Sequence, residues 1–288
     1  MQTSRSHNVK ETVMQGVFTV TAVVSIAAVV LICVFLFVNG LPAIAKIGPL
    51  KFLFGKTWRP SNDLYGIFPM IIGSLYVTAG ALIIGIPLGI FTAAFIAVFC
   101  PKKLYQPLKQ AINLMAGIPS VIYGFFGLVV IVPFVREHIG GQGMSVLTAS
   151  VLLGLMILPT IINVAESSIS AVPKQYYEGG LALGASHERS LFHVTIPSAR
   201  NGIFAGIVLG IGRAIGETMA VVMVAGNQPI IPESLTSGVR TLTANIVMEM
   251  GYATDLHREA LIGTAVVLFV FILIITMSFS ALKRRSDK

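Results

Sequence analysis

The sequence predicts an all-α integral membrane protein with about six transmembrane helices. Three observations carry that prediction. Of the 288 residues, 55% are hydrophobic and only 11% are charged, too few charges to wet the surface of a soluble body of this size. Those charges bound six runs long enough to cross a hydrocarbon core, which takes about 20 apolar residues in a helix. The runs far exceed the roughly ten residues of a barrel strand and do not alternate, so they read as helices.

Taken in order, residues 1–12 are a basic tail and 13–282 form one transmembrane domain. Span 1 is 13–38. Its basic approach and Ala43-Ile44-Ala45 imitate a secretory signal, but the apolar run is longer than the about 7–15 residues of a signal core, so it reads as an uncleaved span. An outer loop, 39–69, holds the single tryptophan, Trp58. Span 2 is 70–99, interrupted at Gly85-Ile86-Pro87. Span 3 is 110–135 and contains Gly117-Ile118-Pro119-Ser120; span 4 is 146–166 and contains Pro159. Both prolines read as helix breaks, lining a cavity or tolerated as kinks. Span 5 is 203–225 and span 6 is 260–282. Between them lies an outer segment, 227–258, with two prolines and mixed charge, and 283–288 is a basic tail.

Orientation follows from Lys and Arg, which accumulate on the cytoplasmic side. With the N-terminus inside, twelve of them lie inside, including Lys102-Lys103 and Lys283-Arg284-Arg285. Seven lie outside and Arg213 lies within the membrane, which accounts for all 20. Both termini are therefore expected in the cytoplasm. The basic balance is this bias and not a nucleic-acid surface, since no basic–aromatic stripe accompanies it. Lipid is the expected surroundings. Cys33 and Cys100 fall at opposite membrane faces and suggest neither a disulfide nor a metal framework.

The one long inner connection, 167–201, reads as two short helices, Lys174 to Ala185 and Ser186 to Thr195, turned at Gly184 and ended by Pro197. Leu181, Leu183, Leu191, Phe192 and Val194 give it an apolar face. Such a loop suits docking against a partner; lying on lipid is the other reading.

Soluble-enzyme motifs fail. Gly55-Lys56-Thr57 imitates the end of a P-loop, but Leu50 stands where its first glycine is required. His187-Glu188 is followed by Leu191 and not by the second histidine of a zinc helix. No catalytic residue and no metal site are expected, and this chain does not hydrolyse ATP through a P-loop.

Span 5 holds the costliest feature. Arg213 and Glu217 stand in NGIFAGIVLGIGRAIGETMAVVMVAGN, otherwise free of charge. A charged side chain at a helix centre costs about 2.5–3.5 kcal/mol on insertion scales. The i, i+4 spacing places both on one helical face, although Arg before Glu is the less favourable order. One reading is a salt bridge locking span 5 to its neighbours. The other is a pathway pair, in which Glu217 holds Arg213 while free guanidinium donors meet an oxygen-rich anion, with the Thr218 hydroxyl nearby. Gly202, Gly206 and Gly210 share another face, suited to close helix packing. An anion moving inward climbs about 2.3 kcal/mol per charge per 100 mV, so accumulating it needs an external energy source.

The 167–201 loop resembles the EAA loop of bacterial ABC-importer permeases. Glu178-Gly179-Gly180, Gly184 and Val194-Thr195-Ile196-Pro197 fit its spacing, with two glycines where that family has alanines. Gly117-Ile118-Pro119-Ser120-Val121-Ile122-Tyr123-Gly124 and Gly210 through Val221, followed by Ala225-Gly226-Asn227, are similar to the phosphate-specific permeases of the PstC branch. The resemblance implies a MetI-like type I importer fold in the bacterial inner membrane. It implies a PstA-like sister permease, a PstB-like ATPase dimer and a PstS-like periplasmic phosphate-binding protein as partners. ATP and Mg would sit on the ATPase, with no cofactor in this chain. Glu178, Gly179, Gly180, Gly184, Ala185, Ser186 and Pro197 become ATPase-coupling residues, and Arg213, Glu217 and Thr218 the phosphate pathway. A permease for sulfate or molybdate, an ion-gradient-driven anion carrier, and a membrane protein merely locked by its ion pair stand as the competing readings.

Overall fold

The computed structural model describes residues 3–286, with side chains described for 11 and 13–278. The tail charges Arg5, Lys10, Lys283, Arg284, Arg285 and Lys288, on which the orientation partly rests, lie outside the described side chains.

Helix α1 (Thr3–Ile47) is a single 45-residue helix. It runs through Gly40 and Pro42 because Gly40 packs directly on α14 (Asp255–Ser286), where a Cβ would come within 2.7 Å of Val266. The first connection therefore begins at 48 and not at 39. It is ordered: α2 (Pro49–Phe54) leads into a hairpin of β1 (Trp58–Arg59) and β2 (Leu64–Tyr65), with Trp58 opposite Tyr65.

Helix α3 (Phe68–Ala94) crosses next and ends in a wide turn, 95–99. The expected interruption at Gly85-Ile86-Pro87 is absent. Gly85 and Gly89 are instead the points where Ile157 and Ile161 of α7 (Val146–Ser170) press against the backbone, so these glycines serve packing. Pro159 is likewise carried inside an unbroken α7.

Span 3 breaks at Pro119, as expected, but its crossing begins at 120 and not at 110. Helix α4 (Lys102–Gly117) stops before Pro119, and a new helix begins at Ser120. A proline disfavours the helical conformation in the residue before it. Ile118 is accordingly extended, with φ −70° and ψ 125°. The crossing is made by α5 (Ser120–Phe126), a wide turn over 127–131, and α6 (Val132–His138).

Helix α7 is the central helix. Ser145 caps its N-terminus, accepting from the Thr148 amide at 3.3 Å. Leu152, Leu153, Met156, Ile157 and Ile161 are all buried at its centre between α3 and α11 (Arg200–Gly216). The glycine row of α11 faces α7: Gly206 meets Val164, Gly210 meets Ile161, and Gly202 meets Ser168. Close helix packing therefore accounts for that row. Beyond α11 come α12 (Met219–Val224), α13 (Leu242–Met250) and α14.

Among the described residues five helices are long and apolar enough to cross a bilayer. They are Val13–Ile47, Phe68–Phe99, Ser120–His138, Val146–Ser170 and Asp255–Ser278. Counted together with His187–Ser198, to which it is joined at a 72° bend, α11 brings the number to as many as six. Helix α11 alone, at 17 residues, is about 25 Å long, short of a core about 30 Å thick. That shortfall has a cause in the break that follows it.

Candidate functional site: a broken helix beside an intramembrane arginine

Helix α11 ends at Gly216, between Arg213 and Glu217. Glu217 is extended (φ −68°, ψ 133°), and α12 starts two residues later. The expected ion pair on one helical face is therefore not formed. Among the described residues no ion pair joins Arg213 to Glu217. The reason is local. A carboxylate at 217 accepts from the amides of Thr218 (3.1 Å) and Ala220 (3.2 Å), so it serves the start of α12. Negative charge is favourable at that end of a helix. The Thr218 hydroxyl turns back to the Gly216 carbonyl at 3.2 Å. The Glu217 carbonyl, freed by the break, is met by Thr243 of α13 at 3.0 Å.

Arg213 is held from another element. Its Nη1 donates to the Thr160 hydroxyl of α7 at 3.2 Å. One turn further along α7, the Asn163 amide nitrogen donates to Asn113 Oδ1 of α4 at 3.2 Å. Arg213, Thr160, Asn163 and Asn113 thus line one polar face across three helices. A side chain at Gly117, Gly212 or Gly216 would meet nothing within 4 Å, so this face fronts open space. Irregular backbone at membrane depth is tolerated where its freed groups find partners; at 216–218 they are met by the Glu217 carboxylate and by Thr243. Sequence reasoning missed Thr160, Asn163 and Asn113. The available signal was two polar residues spaced i, i+3 in the apolar span 4.

Two buried charge clusters also escaped it. Glu166, 5% exposed, pairs with Lys109 at 2.6 Å and accepts from Tyr105 at 3.1 Å, tying α4 to α7. Removing one partner of a buried pair strands the other, at about 3–5 kcal/mol. Lys109→Met is therefore expected to lower the melting temperature of the protein in detergent by several degrees. A double change, Lys109→Met with Glu166→Leu, should recover most of the loss, and unchanged melting of the single variant would count against the pair. On the opposite side Glu249 of α13 gathers Arg240 (2.6 Å), Trp58 Nε1 (2.8 Å) and His257 (2.9 Å). This cluster joins the hairpin to the 227–258 segment. That segment is thereby fixed over the break, with Leu242–Asn245 buried and the Leu242 amide donating to Ser74 at 3.0 Å.

The 167–201 loop forms two helices around Gly184, as expected, with shifted ends. Helix α8 (Lys174–Ala182) closes through Gly184 at φ 84°. The Gly184 amide reaches the Leu181 carbonyl at 2.9 Å and the Ala185 amide reaches that of Gly180 at 3.1 Å. This double return is a glycine-terminated C-cap. Ser186 then caps α9 (His187–Ser190), accepting from the Arg189 amide at 3.2 Å. Hydrogen bonds from its own backbone and from Ser186 hold the Glu188 carboxyl below its usual range. Pro197 does not end this helix. A wide turn, 191–195, passes into α10 (Ile196–Ser198), with Pro197 in the first turn where its missing N–H costs nothing.

The two glycines at 179 and 180 lie inside α8. A Cβ at 180 would come within 2.6 Å of the Ser190 hydroxyl, so this glycine lets α8 and α9 close on each other; at 179 there is open space. Leu183 does not join the apolar face. It is 92% exposed at the tip of the turn, with Tyr176 and Glu178 also exposed on α8.

Residues 85–288 match the family described as "Binding-protein-dependent transport system inner membrane component". The chain belongs to that family. It is a multi-pass membrane component of an ABC importer, and its role is transport. The permease is 38% identical to a probable ABC transporter permease protein, YqgH, of Bacillus subtilis, over 90% of this chain and 87% of the relative. It is 33% identical to the phosphate transport system permease protein PstC of Mesorhizobium japonicum, over 85% of this chain and 81% of that one. Solved structures share the fold, which is MetI-like. A chain of the inward-facing MetNI methionine ABC transporter superposes with a TM-score of 0.61 at 19% identity, covering 81% of the permease and all of that chain. A chain of a bacterial ABC transporter that imports alginate superposes with a TM-score of 0.60 at 15% identity, covering 91% and 96%.

Proposed function

We propose that this permease forms one half of the pathway of an ATP-driven importer of inorganic phosphate. The observation that carries the ion's identity is the relative named as a phosphate transport permease at 33% identity over more than four fifths of both chains. The geometry is consistent with it. Arg213 spends one donor on Thr160, so most of its planar fork is available to the oxygens of an anion. Glu217 and Thr218 belong to the pathway as the residues that shape the break beside it.

The other half of the pathway would come from a PstA-like sister subunit. A PstB-like ATPase dimer would bind ATP and Mg and dock on the 167–201 loop, whose coupling residues are Glu178, Gly179, Gly180, Gly184, Ala185, Ser186 and Pro197. A PstS-like protein would deliver phosphate from outside. Both termini, with the tails 1–12 and 283–288, would lie in the cytoplasm.

Reconstitution tests this reading. Proteoliposomes holding the permease with its sister subunit and ATPase, supplied with phosphate-loaded binding protein, are expected to accumulate phosphate only when ATP is present. Sulfate and molybdate should not compete. Phosphate accumulation driven by an ion gradient without ATP, or preferential uptake of sulfate, would overturn it.

A further inference from the structure

The Asn113–Asn163 pair does a job that the arginine does not. We infer that it is a second, neutral binding station for protonated phosphate, one helical turn along α7 from Thr160, the partner of Arg213. This rests on the phosphate-pathway reading above. Three observations carry it. The two amides meet across α4 and α7 at 3.2 Å, on the polar face that contains Thr160 and Arg213. Asn163 Oδ1 is buried and has no hydrogen-bond partner. A buried polar group left without a partner is costly, and more so at membrane depth, so its retention points to an occupant. The face opens onto free space beside Gly117, which lies one turn beyond Asn113 on α4.

The chemistry of the pair selects the occupant. A carboxamide offers two donors and an acceptor, and no net charge. At neutral pH inorganic phosphate keeps at least one P–OH, so it presents both acceptor oxygens and a donor. The exposed Asn113 amide can donate to a phosphate oxygen, and a turn of the Asn163 side chain out of its buried setting would bring Oδ1 to that hydroxyl. Fully ionised sulfate has no donor and leaves Oδ1 unsatisfied. Neutrality also matters for movement. Conduction requires that an ion bind well enough to enter each site and weakly enough to leave it. An anion bound at Arg213 alone would be held by charge. A neutral amide station beside it gives the anion a place to go as the arginine releases it.

The test uses the assembled importer in proteoliposomes. Asn163→Leu is expected to reduce ATP-driven phosphate uptake about tenfold, the scale of one lost hydrogen bond to a charged group. ATPase assembly should be unchanged, and Asn163→Gln, which keeps the amide, should recover part of the rate. A purely structural tie between α4 and α7 would be replaced by an apolar pair. The double variant Asn113→Leu/Asn163→Leu therefore separates the two roles. Unchanged melting with uptake still lost supports the station, and uptake restored to wild-type level overturns it. Uptake by Asn163→Leu within twofold of wild type overturns it also. If Arg213→Gln is inactive in the same assay while Asn163→Leu is active, only this inference fails. If both transport normally, the pathway reading fails with it.

Discussion

Replacing Arg213 with glutamine is expected to cut ATP-driven phosphate accumulation by about 10–100-fold while the importer assembles and melts as before. The range follows from the loss of a charged donor, about 1.5–3 kcal/mol, with about 1.4 kcal/mol per factor of ten. Glutamine is short of Arg213's reach but keeps a polar head in the same setting. Stability should not suffer, because the substitution removes a charge whose burial itself costs about 2.5–3.5 kcal/mol. The structure sharpens the comparison with Glu217. Had the two formed a salt bridge, neutralising either one would have stranded the other. They do not: Glu217 caps α12 through the Thr218 and Ala220 amides, and Arg213 bonds Thr160. Glu217→Gln should therefore act as a capping change, worth about 0.5–2 kcal/mol of stability, with a smaller effect on uptake. The measurement is initial phosphate uptake in proteoliposomes with melting temperature alongside. Equal loss in both variants, accompanied by equal destabilisation, would restore the locked-pair reading and remove Arg213 from the pathway.

The number of apolar crossings, five to six, was legible because hydropathy and length are properties of a segment by itself. So was the turn at Gly184, where one residue type dictates the local backbone. The break at 216–218 was not. Gly210 through Val221 is apolar enough to read as one helix, and the carboxylate that ends it does so by bonding amides further along the chain. Spacing arguments assume a continuous helix, so i, i+4 placed Arg213 and Glu217 together when the backbone between them had already turned. Thr160, Asn163 and Asn113 escaped for a different reason. Each is unremarked within its own span, and only the packing of α4, α7 and α11 sets them on one face with Arg213. The Glu249 cluster is hidden the same way, since Trp58 and Arg240 stand far apart in the chain and meet only through the folded outer segments. Pro87 and Pro159 show the converse error. Proline alone predicts a break, yet both are carried inside helices whose neighbours pack closely around them.

Leu183→Asp is expected to uncouple the permease from its ATPase without unfolding it. Leu183 is 92% exposed, so this chain gains little from its apolar side chain, and an aspartate at this helix end costs the isolated permease at most about 1 kcal/mol. A leucine so placed stands at the tip of a turn fixed on both sides: the Gly184 and Ala185 amides close α8, and the Ser186 hydroxyl opens α9. A rigid turn presenting one apolar side chain has the form of a knob for a partner's pocket. Central interface residues of that kind cost about 2 kcal/mol or more when lost, close to 30-fold in affinity. Co-purification of the ATPase and phosphate uptake should fall together, while the melting temperature of the permease stays constant. Gly184→Val reaches the same end by another route. Its φ of 84° is strained for a β-branched residue, so the turn must shift and carry Leu183 with it. The two variants divide the explanation. If Gly184→Val uncouples and Leu183→Asp does not, the backbone of the turn is what the ATPase engages. If neither changes co-purification or uptake, the 167–201 loop is not the coupling element. The lever would then have to be sought on another element.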